Sequence, residues 1–343
     1  MKIGFSNQTC TPQMEEDNMN AAQAGSVKVD IISGFLGAGK TTFINKLLAD
    51  GLACEQLALI ENELGDIAID GELIESRDGL EVRTMASGCI CCSLNSDFAS
   101  AIVDIVETYH PTRIIVEPTG IAEPSEIARI CEREVWQVDL AVNSIITIVN
   151  GANLTEMLDL EIGVFEQQLK EASFILLNRV SSLEEDELEQ AKRAIKRLAP
   201  AAVCHVCDTL AETDSLALLA LAEEAWAQRP AALGINVSFG VPAAPAQHHH
   251  HHHEHAEVEA VSTLPSENFA PESHVTITSM LEAAQHGVVL RAKGFLSDGH
   301  GGFSLYEYVY GQGSLTPCAY DGSPKLVIIG KGVELSDFAA LGA

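Results

Sequence analysis

The chain has 343 residues, with 20 Lys and Arg against 49 Asp and Glu, a formal net charge of −29. That balance argues against nucleic acid as a partner, because a duplex binder needs clustered cations to neutralise phosphates, and it disfavours an anionic membrane surface for the same reason. A hydrophobic share of 47% suffices for a packed core and excludes wholesale disorder.

Residues 1–26 are polar and read as a flexible extension. Glu15, Glu16 and Asp17 lie close to the start with no apolar run between, so no secretory signal is expected. No apolar run reaches the ~20 residues of a spanning helix. The nine cysteines are an odd number and fit reduced thiols better than a disulfide framework. The expected location is cytoplasmic, with no membrane and no nucleic acid among the partners.

A domain over 27–239 opens on a short apolar strand, Val27 to Ser33. Further strands are predicted at Gln56–Glu61, Glu81–Ala86, Arg113–Val116, Ser144–Val149 and Ser173–Leu177. Several are β-branched and apolar without alternation, as strands buried on both faces of a parallel sheet are. Helical periods lie between them. Thr41–Asp50 carries Phe43, Ile44, Leu47 and Leu48 on one stripe, and Asp97–Tyr109 carries Ala101, Ile102, Ile105 and Val106. Glu184–Leu198 turns Leu188, Ala191, Ile195 and Leu198 inward. This alternation predicts an α/β fold with a mainly parallel sheet.

Residues 240–272, rich in Pro, Ala and His, read as a linker. A small α+β domain over 273–343 follows, with strands at His274–Ser279, Val288–Leu296, Ser304–Tyr310 and Lys325–Ile329 and a helix near Met280–Gln285.

The first strand runs into Gly34-Phe35-Leu36-Gly37-Ala38-Gly39-Lys40-Thr41-Thr42, and then a helix begins. This is the phosphate-loop pattern in the strand-loop-helix context that supports it. Gly34, Gly37, Ala38 and Gly39 let successive backbone N–H groups face one anion, and the helix N-terminus adds its partial positive charge. Lys40 supplies a cation to the β- and γ-phosphates, Thr41 a hydroxyl to Mg²⁺, and Thr42 continues the binding segment. Such a loop fits a kinase, an ATPase or a GTPase alike. A second acidic element is expected at the end of a neighbouring strand. Glu117, in Glu117-Pro118-Thr119-Gly120, is placed to hold Mg²⁺ through water, with the Gly120 N–H available to the γ-phosphate. Glu61 and Glu63 leave the second strand at its C-terminal end, where ligands bind in open α/β sheets.

Gly88-Cys89-Ile90-Cys91-Cys92 follows the strand ending at Ala86. Three thiols within four residues are hard to explain as packing, and disulfides among them would be strained. As thiolates, Cys89, Cys91 and Cys92 can converge on one borderline cation such as Zn²⁺, with a fourth ligand from elsewhere. A redox or structural role is the alternative. His248 to His253 with His255 make a second metal-collecting candidate in the linker, or an inert solvated stretch. Cys204 and Cys207 flank His205 in what reads as a core strand that would send them to opposite sides.

Four motifs together, GFLGAGKTT at 34–42, ENELGDIAID at 61–70, SGCICC at 87–92 and EPTGIAEP at 117–124, resemble the CobW family of P-loop GTPases and metallochaperones. The resemblance covers residues 27 to 239, and the strand at Val289–Phe295 looks like part of the family's C-terminal domain. It implies a P-loop NTPase fold, GTP as substrate, Mg²⁺, and Zn²⁺ or Co²⁺ held by Cys89, Cys91 and Cys92. It also implies that Glu61 and Glu63 lie in a switch-like segment linking metal to nucleotide. Lys40, Glu117 and Glu61 are the expected catalytic residues, and a client metalloprotein is the expected partner, with room for a homodimer. The family reads guanine through an NKxD motif. Here the segment is Asn178-Arg179-Val180-Ser181, which keeps Asn178, offers the Arg179 guanidinium for stacking and replaces the carboxylate by a serine. That substitution weakens guanine selectivity by roughly 10- to 100-fold. Asn150 also stands where the family usually has Asp. A metal-storing or sensing protein with a regulatory nucleotide site and little turnover is the alternative, and a small-molecule kinase a further one.

Overall fold

In the computed structural model the described residues are 26–52, 56–63, 81–86, 94–131, 138–229, 258–266 and 268–342. Cys89, Cys91 and Cys92, residues 64–70 of the second motif, the histidine tract and the N-terminal extension lie outside them. The chain divides into two compact units: the larger holds the described residues up to 160 and 164–229, the smaller those at 161–163 and 258–342.

The N-terminal unit is built on seven strands: β1 (Val27–Gly34), β2 (Leu57–Glu63), β3 (Glu81–Ala86), β4 (Arg113–Glu117), β5 (Leu140–Asn150), β6 (Phe174–Asn178) and β7 (Val203–Val206). They lie in the order β3-β2-β4-β1-β5-β6-β7, and every pairing is parallel. The expected mainly parallel α/β fold is therefore present. The helices are α1 (Lys40–Asp50), α2 (Leu94–Tyr109), α3 (Pro124–Cys131), α4 (Leu154–Asp159), α5 (Gly163–Glu171), α6 (Glu185–Leu198) and α7 (Ser215–Ala227).

Alternation within buried strands supplies both faces of the sheet. Ile32 of β1, Leu57 and Leu59 of β2, Ile115 of β4 and Ile146 and Ile148 of β5 join α1 and α7 in one core. Val29 and Ile31, Ala58 and Ile60, Ile114 and Val116, and Val142 and Ile145 join α2 and α3 in the other. Period-2 side chains that are apolar on both faces require a helical layer on each side.

From the C-terminal end of β1 the chain runs to β2, on one side of it, whereas from β4 it crosses β1 to reach β5 on the other. The crevice between β4 and β1 is thus the topological switch point, where ligands bind in open α/β sheets. At the opposite end the same two strands are locked by a charge cluster. Asp30, with no solvent exposure, accepts from Arg113, from Asn143 Nδ2 at 2.8 Å and from Ser144 Oγ at 2.6 Å. Arg113 also meets Glu223 of α7 at 3.0 Å. Burial works to raise the Glu223 pKa, but the Asn143 hydrogen bond and the charges of Arg113 and Lys28 outweigh it and hold that carboxyl low.

The C-terminal unit is a five-stranded sheet in the order β11-β10-β9-β12-β8: β8 (Val258–Thr263), β9 (Val288–Ser297), β10 (Phe303–Val309), β11 (Gln312–Cys318) and β12 (Lys325–Lys331). All its pairings are antiparallel. Helix α8 (His274–Glu282) places Ile277 and Leu281, both fully buried, on the sheet beside Tyr306, Leu326 and Ile328.

Three expectations need correction. His274–Ser279 is the first part of α8, not a strand. Its β-branched alternation suggested a strand, yet Val275 is exposed while Ile277 and Leu281, four apart, share the buried face of one helix. Residues 258–263, read as linker, form β8, so the second sheet begins earlier than 273. Both β8 and β11 are edge strands: β8 (VEAVST) is short and half polar, and β11 (QGSLTPC) is mostly polar with a proline inside, so neither reads as a buried strand. Finally, the Cys204 segment is an edge strand, not a core one: Val203 and Cys204 are exposed, and Cys207 beyond the strand is buried.

Candidate functional site

The loop after β1 is shaped by two glycines. Gly34 has φ 141°, and a Cβ there would stand 2.3 Å from the Ile148 carbonyl oxygen, so no side chain fits. Gly39, at φ 112°, is the N-cap of α1 and brings no capping side chain to the first helical N–H groups. A bend of this kind followed by a helix N-terminus is a ready anion site. Lys40, 8% exposed, turns its ammonium back into the loop and donates to Gly34 O at 3.0 Å. Thr42 faces solvent.

The last residue of β4 reaches this loop. Thr41 Oγ1 donates to Glu117 at 3.0 Å to Oε1 and 3.3 Å to Oε2. Glu61 is the Cα partner of Glu117 across β2 and β4, and its side chain is 3% exposed. A hydroxyl and a carboxylate in contact, with a second carboxylate on the next strand, form a hard oxygen-donor set of the kind that suits Mg²⁺. The three expected catalytic residues, Lys40, Glu117 and Glu61, are thus gathered at the C-terminal ends of neighbouring strands.

Gly120 brings the loop after β4 against the loop after β1. A Cβ there would lie 2.6 Å from Leu36 Cδ2 and 2.8 Å from the Leu36 amide nitrogen. This is backbone packed on backbone, which only glycine permits. The segment is held from behind by α5. Gln168, fully buried, donates through Nε2 to Gly120 O at 3.1 Å and to Ala122 O at 3.0 Å. Glu171 accepts from Ser125 N at 2.8 Å and from Ser125 Oγ at 2.7 Å. Glu123 lies in the same segment. Burial, and then the charges of Glu171 and Glu126, push its pKa above the usual carboxylate range.

Asn178 ends β6 at 3% exposure and ties the β6 side to the phosphate-loop motif: its Nδ2 donates to Ala38 O at 3.2 Å. The Cys207 thiol donates to Asn178 Oδ1 at 4.0 Å, and burial, with the charge of Asp208, pushes that thiol up to about 11. Arg179 is exposed in a left-handed conformation, φ 56°. Ser181 is exposed as well. Asn150 accepts from Ala152 N at 3.1 Å and caps the turn Gly151–Asn153, a job its amide oxygen does as well as a carboxylate would.

The structure therefore brings Gly34, Gly37, Ala38, Gly39, Lys40 and Thr41 together with Glu117, Gly120, Glu61 and Asn178. The cysteine motif lies outside the described residues, and among those residues there is no group of three or more His, Cys, Asp or Glu that could hold a metal ion. Sequence reasoning missed Gln168 and Glu171, and read Cys207 only as part of a core strand. For Gln168 a signal exists: a polar residue stands beside Phe165 and Leu169 on the buried stripe of α5. No helix of the described residues is long and apolar enough to cross a membrane.

Curated relatives align over part of the chain. The zinc chaperone YjiA of Escherichia coli (strain K12) is 29% identical over 179 residues, 50% of this chain and 54% of its own length. The zinc chaperone CobW of Sinorhizobium sp is 30% identical over 201 residues, 50% of this chain and 56% of its own. A zinc-regulated GTPase metalloprotein activator 1 of Schizosaccharomyces pombe is 26% identical over 179 residues, 50% of this chain and 43% of its own. The chain spans about half the length of these relatives. The family model CobW/HypB/UreG, nucleotide-binding domain, matches residues 28–205, more than half of the chain, and every strand of the crevice falls within or against that span. The chain belongs to the CobW/HypB/UreG family.

Proposed function

We propose that this chain is a GTP-hydrolysing metallochaperone: it takes up Zn²⁺ or Co²⁺ as cargo through Cys89, Cys91 and Cys92 and delivers it to a client metalloprotein. The observation that carries the nucleotide half is the meeting of Thr41 and Glu117, 3.0 Å apart, at the switch-point crevice beside a loop closed on Lys40. The relatives' names, zinc chaperone and zinc-regulated GTPase metalloprotein activator, support the metal half.

On this reading phosphates lie along Gly34–Thr42. Lys40 leaves the Gly34 carbonyl for the β- and γ-phosphates, an exchange of one acceptor for a stronger, charged one. Thr41 and Glu117 fit Mg²⁺ by donor type, which when bound offsets the negative charge between the β- and γ-phosphates. Gly120 offers its N–H to the γ-phosphate. The protein supplies position and charge stabilisation, and water attacks in line. Asn178 faces the base side, with Arg179 available to stack. Ser181 leaves guanine without the usual carboxylate, so Ser181→Asp raises the preference for GTP over ATP by roughly 10- to 100-fold.

The test uses the full chain. GTP hydrolysis is measured with and without Zn²⁺, alongside metal stoichiometry in the wild type and in Cys91→Ser. The expected result is turnover that responds to metal and a loss of stoichiometric metal in the variant. Failure to bind nucleotide, or unchanged metal content in Cys91→Ser, sinks the reading. The serine at 181 also suits a second reading, a metal-storing or sensing protein that binds nucleotide and scarcely turns it over; a negligible rate at saturating metal would favour it.

A further inference from the structure

Helix α5 carries no residue of any motif, yet it touches the site at three places. Phe165 packs edge-on against Phe35 of the phosphate loop, ring centroids 5.6 Å apart. Gln168 binds two carbonyls of the segment after β4, and Glu171 binds the backbone and hydroxyl of Ser125 at the start of α3. The helix is itself anchored to the sheet, because Thr147 Oγ1 of β5 donates to Gln168 O at 3.0 Å.

The chemistry of the Gln168 amide fixes its role. Its two acceptors are both carbonyl oxygens, so only the NH₂ group can face them, and both of its donors are used. The side-chain oxygen has no hydrogen-bond partner among the described residues although the residue is fully buried. The amide therefore serves the two carbonyls alone, and an apolar residue of the same shape would leave both of them without this donor. What the amide does achieve is to hold Gly120 from behind while Leu36 blocks it in front, 2.8 Å from where a Cβ would be.

We propose that Gln168, with Glu171 beside it, is a positioning residue that sets the Gly120 N–H against the phosphate loop and so lets the chain tell a nucleoside triphosphate from a diphosphate. The inference rests on the nucleotide reading above and adds the device that makes the site sensitive to the γ-phosphate. A diphosphate does not reach Gly120, so its affinity is independent of this clamp. A triphosphate gains the Gly120 contact only where the amide is already aimed, the benefit of preorganisation.

The experiment compares the full-length wild type with Gln168→Met, which keeps the volume and removes both donors. Affinities for GDP and for a slowly hydrolysed GTP analogue are measured by titration, with kcat and KM for GTP. Losing two hydrogen bonds to one segment is expected to weaken analogue binding about tenfold, lower kcat by a similar factor, and leave GDP affinity within about twofold. Glu171→Ala should act in the same direction by about threefold, with Glu171→Gln restoring most of it. The Glu171 pair decides the matter if Gln168→Met does not fold. Equal losses for GDP and analogue, or no change in either, overturn the inference while leaving the nucleotide reading standing. A wild type that binds neither nucleotide takes both down.

Discussion

Arg113→Met should be among the most damaging single substitutions in the N-terminal unit, for reasons that lie far from the phosphate loop. Asp30 is fully buried, and the Arg113 side chain is 6% exposed. Removing the guanidinium leaves a buried carboxylate supported only by the neutral donors Asn143 and Ser144. Stranding one partner of such a pair costs about 3–5 kcal/mol, and the two remaining donors place this case toward the lower end. For a unit of this size 1 kcal/mol moves Tm by about 2–4 °C, so a fall of roughly 6–12 °C follows from ~3 kcal/mol. The double variant Asp30→Asn/Arg113→Met removes the stranded charge and should recover ~1.5 kcal/mol or more of that loss. The residues assigned to the C-terminal unit contain no tryptophan, so tryptophan fluorescence in a urea titration follows the N-terminal unit alone. A loss under ~1 kcal/mol for Arg113→Met, or a double variant no more stable than the single one, would refute the argument that the buried charge carries the penalty.

Other substitutions probe the loops. Gly34→Ala must relieve a 2.3 Å contact with Ile148 O from a backbone at φ 141°; overpacking and strain together cost roughly 2–5 kcal/mol, and nucleotide affinity should fall at least tenfold in a binding titration. Glu123 has its folded pKa raised by burial and by Glu171 and Glu126, so its ionisation opposes folding once the pH exceeds the unfolded value. Glu123→Gln should therefore raise Tm at pH 7, with the gain vanishing on acidification below the ordinary Glu range near ~4.3. In the C-terminal unit His286 is raised by the hydrogen bond and charge of Asp337, 2.7 Å away. That pair's contribution is fully present below the ordinary His pKa and lost as pH rises through the folded value. NMR titration should place His286 above ~6.5, with Asp337→Asn bringing it back.

Most of the parallel sheet was legible in the sequence, because strands buried on both faces are dense in Val, Ile and Leu and short. The phosphate loop was legible for a different reason: Gly34 and Gly39 are demanded by backbone geometry that no other residue accepts. What escaped the sequence depended on tertiary partners. β8 and β11 are short sheet edges in which polar residues interrupt the apolar ones, and α8 carries β-branched residues that mimic a strand until Leu281 shows which face is buried. Gln168 and Glu171 have no motif, since their work is defined by carbonyl and amide groups brought to them from more than 40 residues away. Asn150 could be recognised as a departure from the family pattern, but its use as the cap of the next turn required coordinates.

The net charge of −29 sets a problem for any site that takes an anion, and the distribution of cations shows how the fold meets it. Among the described residues several cations are engaged in ion pairs: Arg113 and Lys28 with Glu223, Lys46 with Asp50, Lys170 with Glu166, Lys192 with Glu189. A triphosphate approaching this chain meets a repulsive far field, screened beyond about 8–10 Å at physiological salt. Attraction must then be local. Backbone N–H groups of the loop and the first turn of α1 carry no net charge, so they add to the site without adding to the overall balance. Lys40 is held within the loop, where a single cation in partly dehydrated surroundings counts for more than several on the surface. On the proposed reading the acidic residues at the crevice, Glu117 and Glu61, are no obstacle, because the ligand arrives with Mg²⁺ and a carboxylate beside Thr41 is what that ion requires. The same balance that argues against a nucleic-acid polymer, which needs many cations spread along a surface, is therefore compatible with a mononucleotide, which needs one lysine and a correctly bent backbone.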